Sequence, residues 1–283
     1  MKLLRQKMID AMLMRGFSPR THESYLYAVV KLVKYYRRAP DQLTTEDIQQ
    51  FFLHLVKDLH LTGASCRLYF NGIRFFYLEV LQWPAFEVPI TLPKLPQRIP
   101  ELLTRSEVAR ILSACANPKH RMMLMTCYGC GLRVSELVEL KVRHIDGERR
   151  LLRVEQGKGA KDRQVEIPAA LLQQLRRYWQ AYRPQEWLFP NSQFPGALSV
   201  TTIQKAFTAA KRAAGILKVG GIHSLRHAYA THQLENGLPV HRLQQQLGHQ
   251  SIQSTLRYVH WAPNTPGGNT GTDLIAALEV IHE

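Results

Sequence analysis

The chain has 283 residues, with 37 Lys and Arg against 22 Asp and Glu, so it carries a formal net charge of +15. That length suits two cores rather than one. A positive excess spread over both halves fits a polyanionic partner and argues against a neutral enzyme with a basic tail. No apolar run approaches the roughly 20 residues of a membrane span and no signal peptide opens the sequence. A soluble protein of the cytoplasm is therefore expected. The four cysteines, Cys66, Cys115, Cys127 and Cys130, are too few and too irregular for a disulfide framework. Cys127-x-x-Cys130 stands alone and reads as small buried residues on a helix better than as a zinc site.

From Lys2 to about Trp83 the apolar spacing is helical. Met8, Met12 and Leu13 begin one stripe. Ser18-Pro19 can cap a second helix, whose face runs through Tyr25, Leu26, Val29, Leu32, Val33 and Tyr36. A third helix is predicted over 41–60, opened by Thr44-Thr45-Glu46-Asp47, which has capping-box spacing. A fourth carries Cys66, Tyr69, Phe70, Ile73, Phe76, Tyr77 and Val80. Residues 1–86 thus form a small all-α unit. Pro84, Pro89, Pro93, Pro96 and Pro100 then disallow regular structure and mark residues 87–100 as an extended, semi-rigid linker.

A second domain is expected over 101–262. It opens with the capping box Thr104-Arg105-Ser106-Glu107 and continues through a helix over Met122 to Tyr128 into Gly131-Leu132-Arg133. The period changes to two around Leu152, Val154, Val165 and Ile167, with a glycine- and lysine-rich turn between, which predicts a β-hairpin tipped by Lys158 and Lys161. Most of the remainder is helical in pattern. Residues 263–283 are a tail, with a Pro/Gly/Asn/Thr stretch before one short amphipathic helix near 273–282 that would dock on its own chain or on a neighbour. The fold class is mainly α with a small β-hairpin or sheet.

The candidate chemistry lies in scattered polar residues: Arg133, Lys158, His223, Arg226, His249 and Tyr258. Taken singly, each has an ordinary explanation as a solvated cation or a packed aromatic. Together they supply a nucleophile, cations for the non-bridging oxygens of a phosphodiester, a proton donor for the leaving oxygen and a base. Tyr229 is a rival tyrosine, one turn beyond Arg226 and expected to be packed. Lys161 is a rival for the lysine. Lys158 is preferred because glycines flank it. His227, His232, His241 and His260 have no matched role and default to structural or DNA-facing positions.

Gly131-Leu132-Arg133-Val134-Ser135-Glu136-Leu137, Gly157-Lys158-Gly159, His223-Ser224-Leu225-Arg226-His227, Leu247-Gly248-His249 and Tyr258 resemble, in order, the motifs of the tyrosine recombinases. Gly16-Phe17-Ser18-Pro19-Arg20-Thr21 with Tyr25 resembles the first helices of the core-binding domain in Xer-type and integron-type members. The resemblance implies an all-α, SAM-like core-binding domain joined to a catalytic domain of the DNA breaking-rejoining fold. It implies a site-specific recombinase or integrase in which Tyr258 attacks DNA to form a 3′-phosphotyrosyl link. Arg133 and Arg226 would clamp the phosphate and His249 would hydrogen-bond it. Lys158 would protonate the 5′ leaving group, His223 would act in proton transfer involving the tyrosine, and Glu136 would orient the site. Arg20, Lys31, Lys34 and Lys161 are candidate DNA contacts.

The implied partner is a double-stranded recombination site, with a dimer on each site and a homotetramer in synapsis. Because the phosphotyrosyl bond keeps the energy of the phosphodiester, and Arg and Lys supply positive charge, no ATP, metal or other cofactor is expected. The tail departs from the common Xer ending, and the expected context is a mobile element. A type IB topoisomerase and a catalytically silent DNA-binding regulator remain as competing readings.

Overall fold

The computed structural model describes residues 2–93, 100–157 and 161–262, with backbone alone at 156, 157 and 161. The chain divides into two compact units at residues 98 and 99. The position of Lys158 and the predicted tail helix lie outside the described residues.

The first unit holds α1 (Lys2–Met14), α2 (Pro19–Tyr36), α3 (Thr45–Lys57) and α4 (Gly63–Phe75). At the start of α2, Ser18 Oγ accepts from the Thr21 amide and Pro19 occupies the first turn. The helix stops where Arg37 turns left-handed at φ 51°. The third helix is shorter than its predicted span. Thr44 has extended backbone and makes both halves of a capping box with Asp47, so α3 starts there and residues 40–42 form a separate 3-10 turn. The fourth stripe continues past α4 as one π-helical turn, Phe76–Val80. Met8, Met12, Leu32, Ile48, Phe51, Phe52, Ile73 and Phe76 fill the core of this unit. Residues 84–93 form no helix or strand, yet they do not leave the unit at once. Val88 is buried, Ile90 and Leu92 pack on the same core, and Gln49 Nε2 donates to the Pro89 carbonyl at 3.2 Å.

The second unit contains α5 (Arg105–Ala114), α6 (Pro118–Gly129) and α7 (Val134–Val138), then a three-stranded antiparallel sheet. Its strands are β1 (Ile145–Asp146), β2 (Leu151–Gly157) and β3 (Lys161–Glu166), in spatial order β1-β2-β3. Leu152 pairs with Val165, and both are buried with Val154 and Ile167 on one face. Helices α8 (Ala169–Tyr182), α9 (Val200–Ala213), α10 (His223–Glu235), α11 (Val240–Leu247) and α12 (Gln253–Trp261) complete the unit. Cys127 and Cys130 are buried, and burial pushes each thiol up to about 12.

Two left-handed glycines aim the chain at one place. After α6, Gly131 at φ +60° turns the backbone so that Leu132 enters the core and Arg133 stands as the N-cap of α7. After α11, Gly248 at φ +63° ends the helix and delivers His249. The central helix α10 is buried along most of its length, and its Tyr229 ring lies directly against Gly131. A Cβ at residue 131 would sit inside the Tyr229 ring, in addition to the cost of a left-handed non-glycine residue. Gly131→Ala should therefore lower the stability of the second unit by about 2–4 kcal/mol in denaturant unfolding. Part of that loss should return in Gly131→Ala/Tyr229→Ala, where the ring is gone.

Candidate active site

Glu136, on the short helix α7, is buried at 6% exposure and surrounded by guanidinium groups. Arg163 from β3 meets it in bidentate fashion, Nη1 to Oε1 at 2.7 Å and Nη2 to Oε2 at 2.8 Å. Arg133 adds Nη1 to Oε1 at 2.6 Å and its own amide to Oε2 at 2.8 Å. Arg226 Nη1 lies 3.8 Å from Oε2. Burial alone would raise the Glu136 pKa, but the hydrogen bonds and charge of Arg163, followed by those of Arg133, outweigh it and bring the group to about 2.

Arg226 itself is 1% exposed, which rules out the ordinary reading of a solvated helix-end cation. Its Nη1 donates to the Gly131 carbonyl and its Nη2 to the Leu247 carbonyl, both at 2.6 Å. The same Nη2 lies 3.1 Å from His249 Nε2. Burial, and then the neighbouring charge of Arg133, lowers the Arg226 pKa to about 10, which leaves it cationic at neutral pH. Arg133 is half-buried, and its Nη2 reaches the Gly248 carbonyl at 3.3 Å. The two arginines therefore stitch the Gly131 turn to the Gly248 turn.

Tyr258, on α12, is buried and within reach of this cluster in its own chain. Its ring stacks on His249 with centroids 6.1 Å apart and planes 6° from parallel, and Trp261 meets it edge-on at 5.2 Å. Its phenol Oη lies 3.0 Å from His227 Nδ1. Burial raises the Tyr258 pKa, and the charge of Arg226 works against that rise.

Arginine only donates, so His249 Nε2 accepts from Arg226 and the ring proton sits on Nδ1, directed at Thr255 Oγ1 2.9 Å away. Burial and then the Arg226 and Arg133 charges hold His249 near 4, so it is neutral at pH 7. His227 is likewise held near 4, by burial and then by His223 and Arg226.

Arg133, Arg226, His249 and Tyr258 thus converge, with Glu136 beneath them. His223 is exposed at the start of α10 and meets the His227 ring edge-on at 5.1 Å. Tyr229 is buried against Gly131, with its phenol pushed up to about 12 by burial. Arg20, Lys31 and Lys34 are exposed on α2, where Arg20 pairs with Glu23 and Lys31 lies over the Tyr27 ring.

Two residues of the cluster went unassigned in the sequence. His227 is four residues after His223 and so shares its helix face, a signal that was available. Arg163 has the strand parity of buried Val165 and Ile167, so it points inward, and an inward arginine requires a buried anion.

The amino-terminal unit matches the phage integrase N-terminal SAM-like domain over residues 4–85, and residues 101–265 match the phage integrase family. A candidate integrase/recombinase of Sinorhizobium fredii, y4qK, is 40% identical over 92% of this chain and 85% of its own length. The tyrosine recombinase XerA of Thermococcus onnurineus is 34% identical over 87% of this chain and 86% of its own. In structure, the chain resembles a lambda integrase fragment, crystallised as a dimer bound to a COC′ core site, with TM-score 0.74 and 20% identity. That likeness covers 91% of this chain and 94% of the fragment. The chain belongs to the phage integrase family of tyrosine recombinases, which are DNA strand-transfer enzymes.

The titrating groups predict a two-stage acid response of the second unit. His227 and His249 bind protons more weakly folded than unfolded, so stability should fall as pH drops from about 6.5 to about 4. Glu136 holds its proton more weakly folded than unfolded, so its contribution, complete above about 4.5, should be lost as pH falls toward about 2. Melting temperature followed from pH 8 to pH 2.5 checks both stages. Glu136→Gln, which leaves buried guanidiniums uncompensated, should cost about 3–5 kcal/mol at pH 7 and shrink the second stage.

Proposed function

We propose that this chain is a site-specific recombinase that cleaves and rejoins double-stranded DNA through a 3′-phosphotyrosyl link to Tyr258. The observation that carries the reading is the placement of the Tyr258 phenol among Arg226, His227 and His249 of its own chain, above a carboxylate that holds the arginines in position. A scissile phosphate entering there meets Arg226 and Arg133 as fixed donors, organised before the reaction begins. The entering phosphate would take up the Arg226 proton now given to His249. His249 would then serve the phosphate as a donor once Nε2 carries a proton, with Thr255 able to accommodate either tautomer at Nδ1.

Lys158, between its two glycines, would protonate the departing 5′ oxygen. His223, beside His227, would stand at the proton-transfer side of the tyrosine. Exposed Arg20, Lys31 and Lys34 on α2 would contact the DNA backbone, together with Lys161, and the chain's +15 charge supports such phosphate binding. Residues 1–86 act as the core-binding domain, 87–100 as the linker, 101–262 as the catalytic domain and 263–283 as a docking tail. The dimer of the lambda integrase fragment on its core site supports a dimer of this chain on each recombination site, with four copies in synapsis. No helix among the described residues is long and apolar enough to cross a membrane, and a mobile-element recombinase acting at the nucleoid in the cytoplasm fits this reading.

The test is covalent capture from a randomised pool of nicked duplexes. The protein should form a denaturation-resistant DNA adduct that Tyr258→Phe abolishes, and sequencing the captured duplexes gives the site. An adduct that persists in Tyr258→Phe would move the nucleophile elsewhere. Arg133→Ala should slow adduct formation by about 10²-fold or more, equivalent to about 2.7 kcal/mol of barrier, in single-turnover cleavage of the captured duplex. A two-site recombination assay beside a supercoil-relaxation assay separates strand exchange from simple relaxation.

A further inference from the structure

Resting on Tyr258 as the nucleophile, we propose that His227 takes the phenolic proton during cleavage and returns it during rejoining. The proton on Oη has few places to go. Arg226, whose charge acts on the phenol, carries only N–H donors, so it receives no proton at neutral pH. The His249 ring lies parallel to that of Tyr258 at 6.1 Å between centroids, and its nitrogens meet Arg226 and Thr255 rather than the phenol oxygen. His223 meets the edge of the His227 ring, 5.1 Å between centroids. His227 Nδ1 lies 3.0 Å from Oη, within direct transfer distance.

The local geometry holds His227 in that task. Nδ1 accepts from the phenol in the neutral tautomer that carries its proton on Nε2, and that is the tautomer the transfer uses. Trp261 packs against His227 and Tyr258, edge-on to each, with centroids at 5.7 and 5.2 Å. The charged and titratable groups facing His227 are His223 and Arg226 from its own helix, and Tyr258 and Arg257 from α12. These surroundings keep the imidazole neutral and able to accept at pH 7.

The step balances in both directions. In cleavage the Oη–H bond breaks, its proton moves to His227 Nδ1, the Oη–P bond forms and the P–O5′ bond breaks. The departing 5′ oxygen takes its proton from a separate acid, Lys158 in the assignment above. In rejoining, the 5′ hydroxyl gives a proton back to that acid as it attacks phosphorus, and Tyr258 Oη leaves and recovers its proton from His227 Nδ1–H.

The test uses the full chain and the duplex obtained by covalent capture, in single-turnover cleavage. His227→Gln keeps a hydrogen-bonding side chain that cannot accept the proton. It should slow cleavage by 10²–10⁴-fold. Wild-type cleavage should fall at low pH as His227 protonates, whereas His227→Gln should lose that limb and gain rate as pH rises toward ionisation of the tyrosine. A 5′-bridging phosphorothioate, whose leaving sulfur needs no acid, should leave the His227→Gln defect in place. Without DNA, the ¹⁵N shift of His227 Nδ1 should move in Tyr258→Phe. A His227→Gln protein that cuts within threefold of wild type, or is slow but keeps the wild-type pH limb, or is restored by the phosphorothioate overturns the proposal, as does an unmoved ¹⁵N shift. None of these results touches the nucleophile assignment, which fails separately if Tyr258→Phe still forms adduct.

Discussion

The rest of the site depends on how one buried carboxylate distributes itself among three guanidinium groups. Like charges about 4 Å apart inside a protein repel by about 4 kcal/mol at a realistic effective dielectric, so Arg133, Arg163 and Arg226 could not share one pocket unassisted. Glu136 compensates part of that repulsion and leaves the cluster at 3 − 1 = +2. Arg163 uses both carboxylate oxygens, while Arg226 stands farther from the carboxylate and is held by backbone carbonyls. The result is a cationic pocket formed before any phosphate arrives, with Arg163 acting as the fixed counterpart that immobilises Glu136.

Backbone geometry at two turns converts that charge arrangement into a shaped site. Gly131 and Gly248 adopt left-handed conformations, and the carbonyls of Gly131, Leu247 and Gly248 face inward to accept from arginines. Each arginine is therefore oriented by at least one acceptor that cannot rotate away. The phenol of Tyr258 is hydrogen-bonded to His227 and lies under the charge of Arg226, so nucleophile and cations share one site.

Local signals in the sequence were informative where local physics decides the outcome. The Ser18-Pro19 start, the capping boxes at Thr44 and Thr104 and the alternating hairpin around Leu152 and Val165 each depend on residues a few positions apart, and each is realised in the fold. The third helix is shorter than 41–60 at both ends, because the Thr44 cap sets its start after a separate 3-10 turn at Pro40–Gln42 and the helix ends at Lys57. The spacing of His227 from His223 put both on one helix face, but the phenol it meets is 31 residues away on another helix, beyond the reach of any local pattern. Arg163 looked like one more basic residue beside a lysine-rich turn. Its bidentate partner lies 27 residues earlier, on the short helix that Arg133 caps.

By itself, the sequence determined the helical character of both units, the proline-rich break between them, the basic balance and the set of residue types from which a phosphodiester chemistry can be built. Those properties follow from periodicity, capping and composition, which act over a turn or two of chain. Only the tertiary structure decided which polar groups meet. It buried Arg226, paired Arg163 with Glu136, set the tautomer of His249 against Thr255 and brought His227 to the Tyr258 phenol. A hydrogen bond has a reach of about 3 Å, and which atoms fall within it is fixed by the packing of α10 against α6, α11 and α12 rather than by any spacing along the chain.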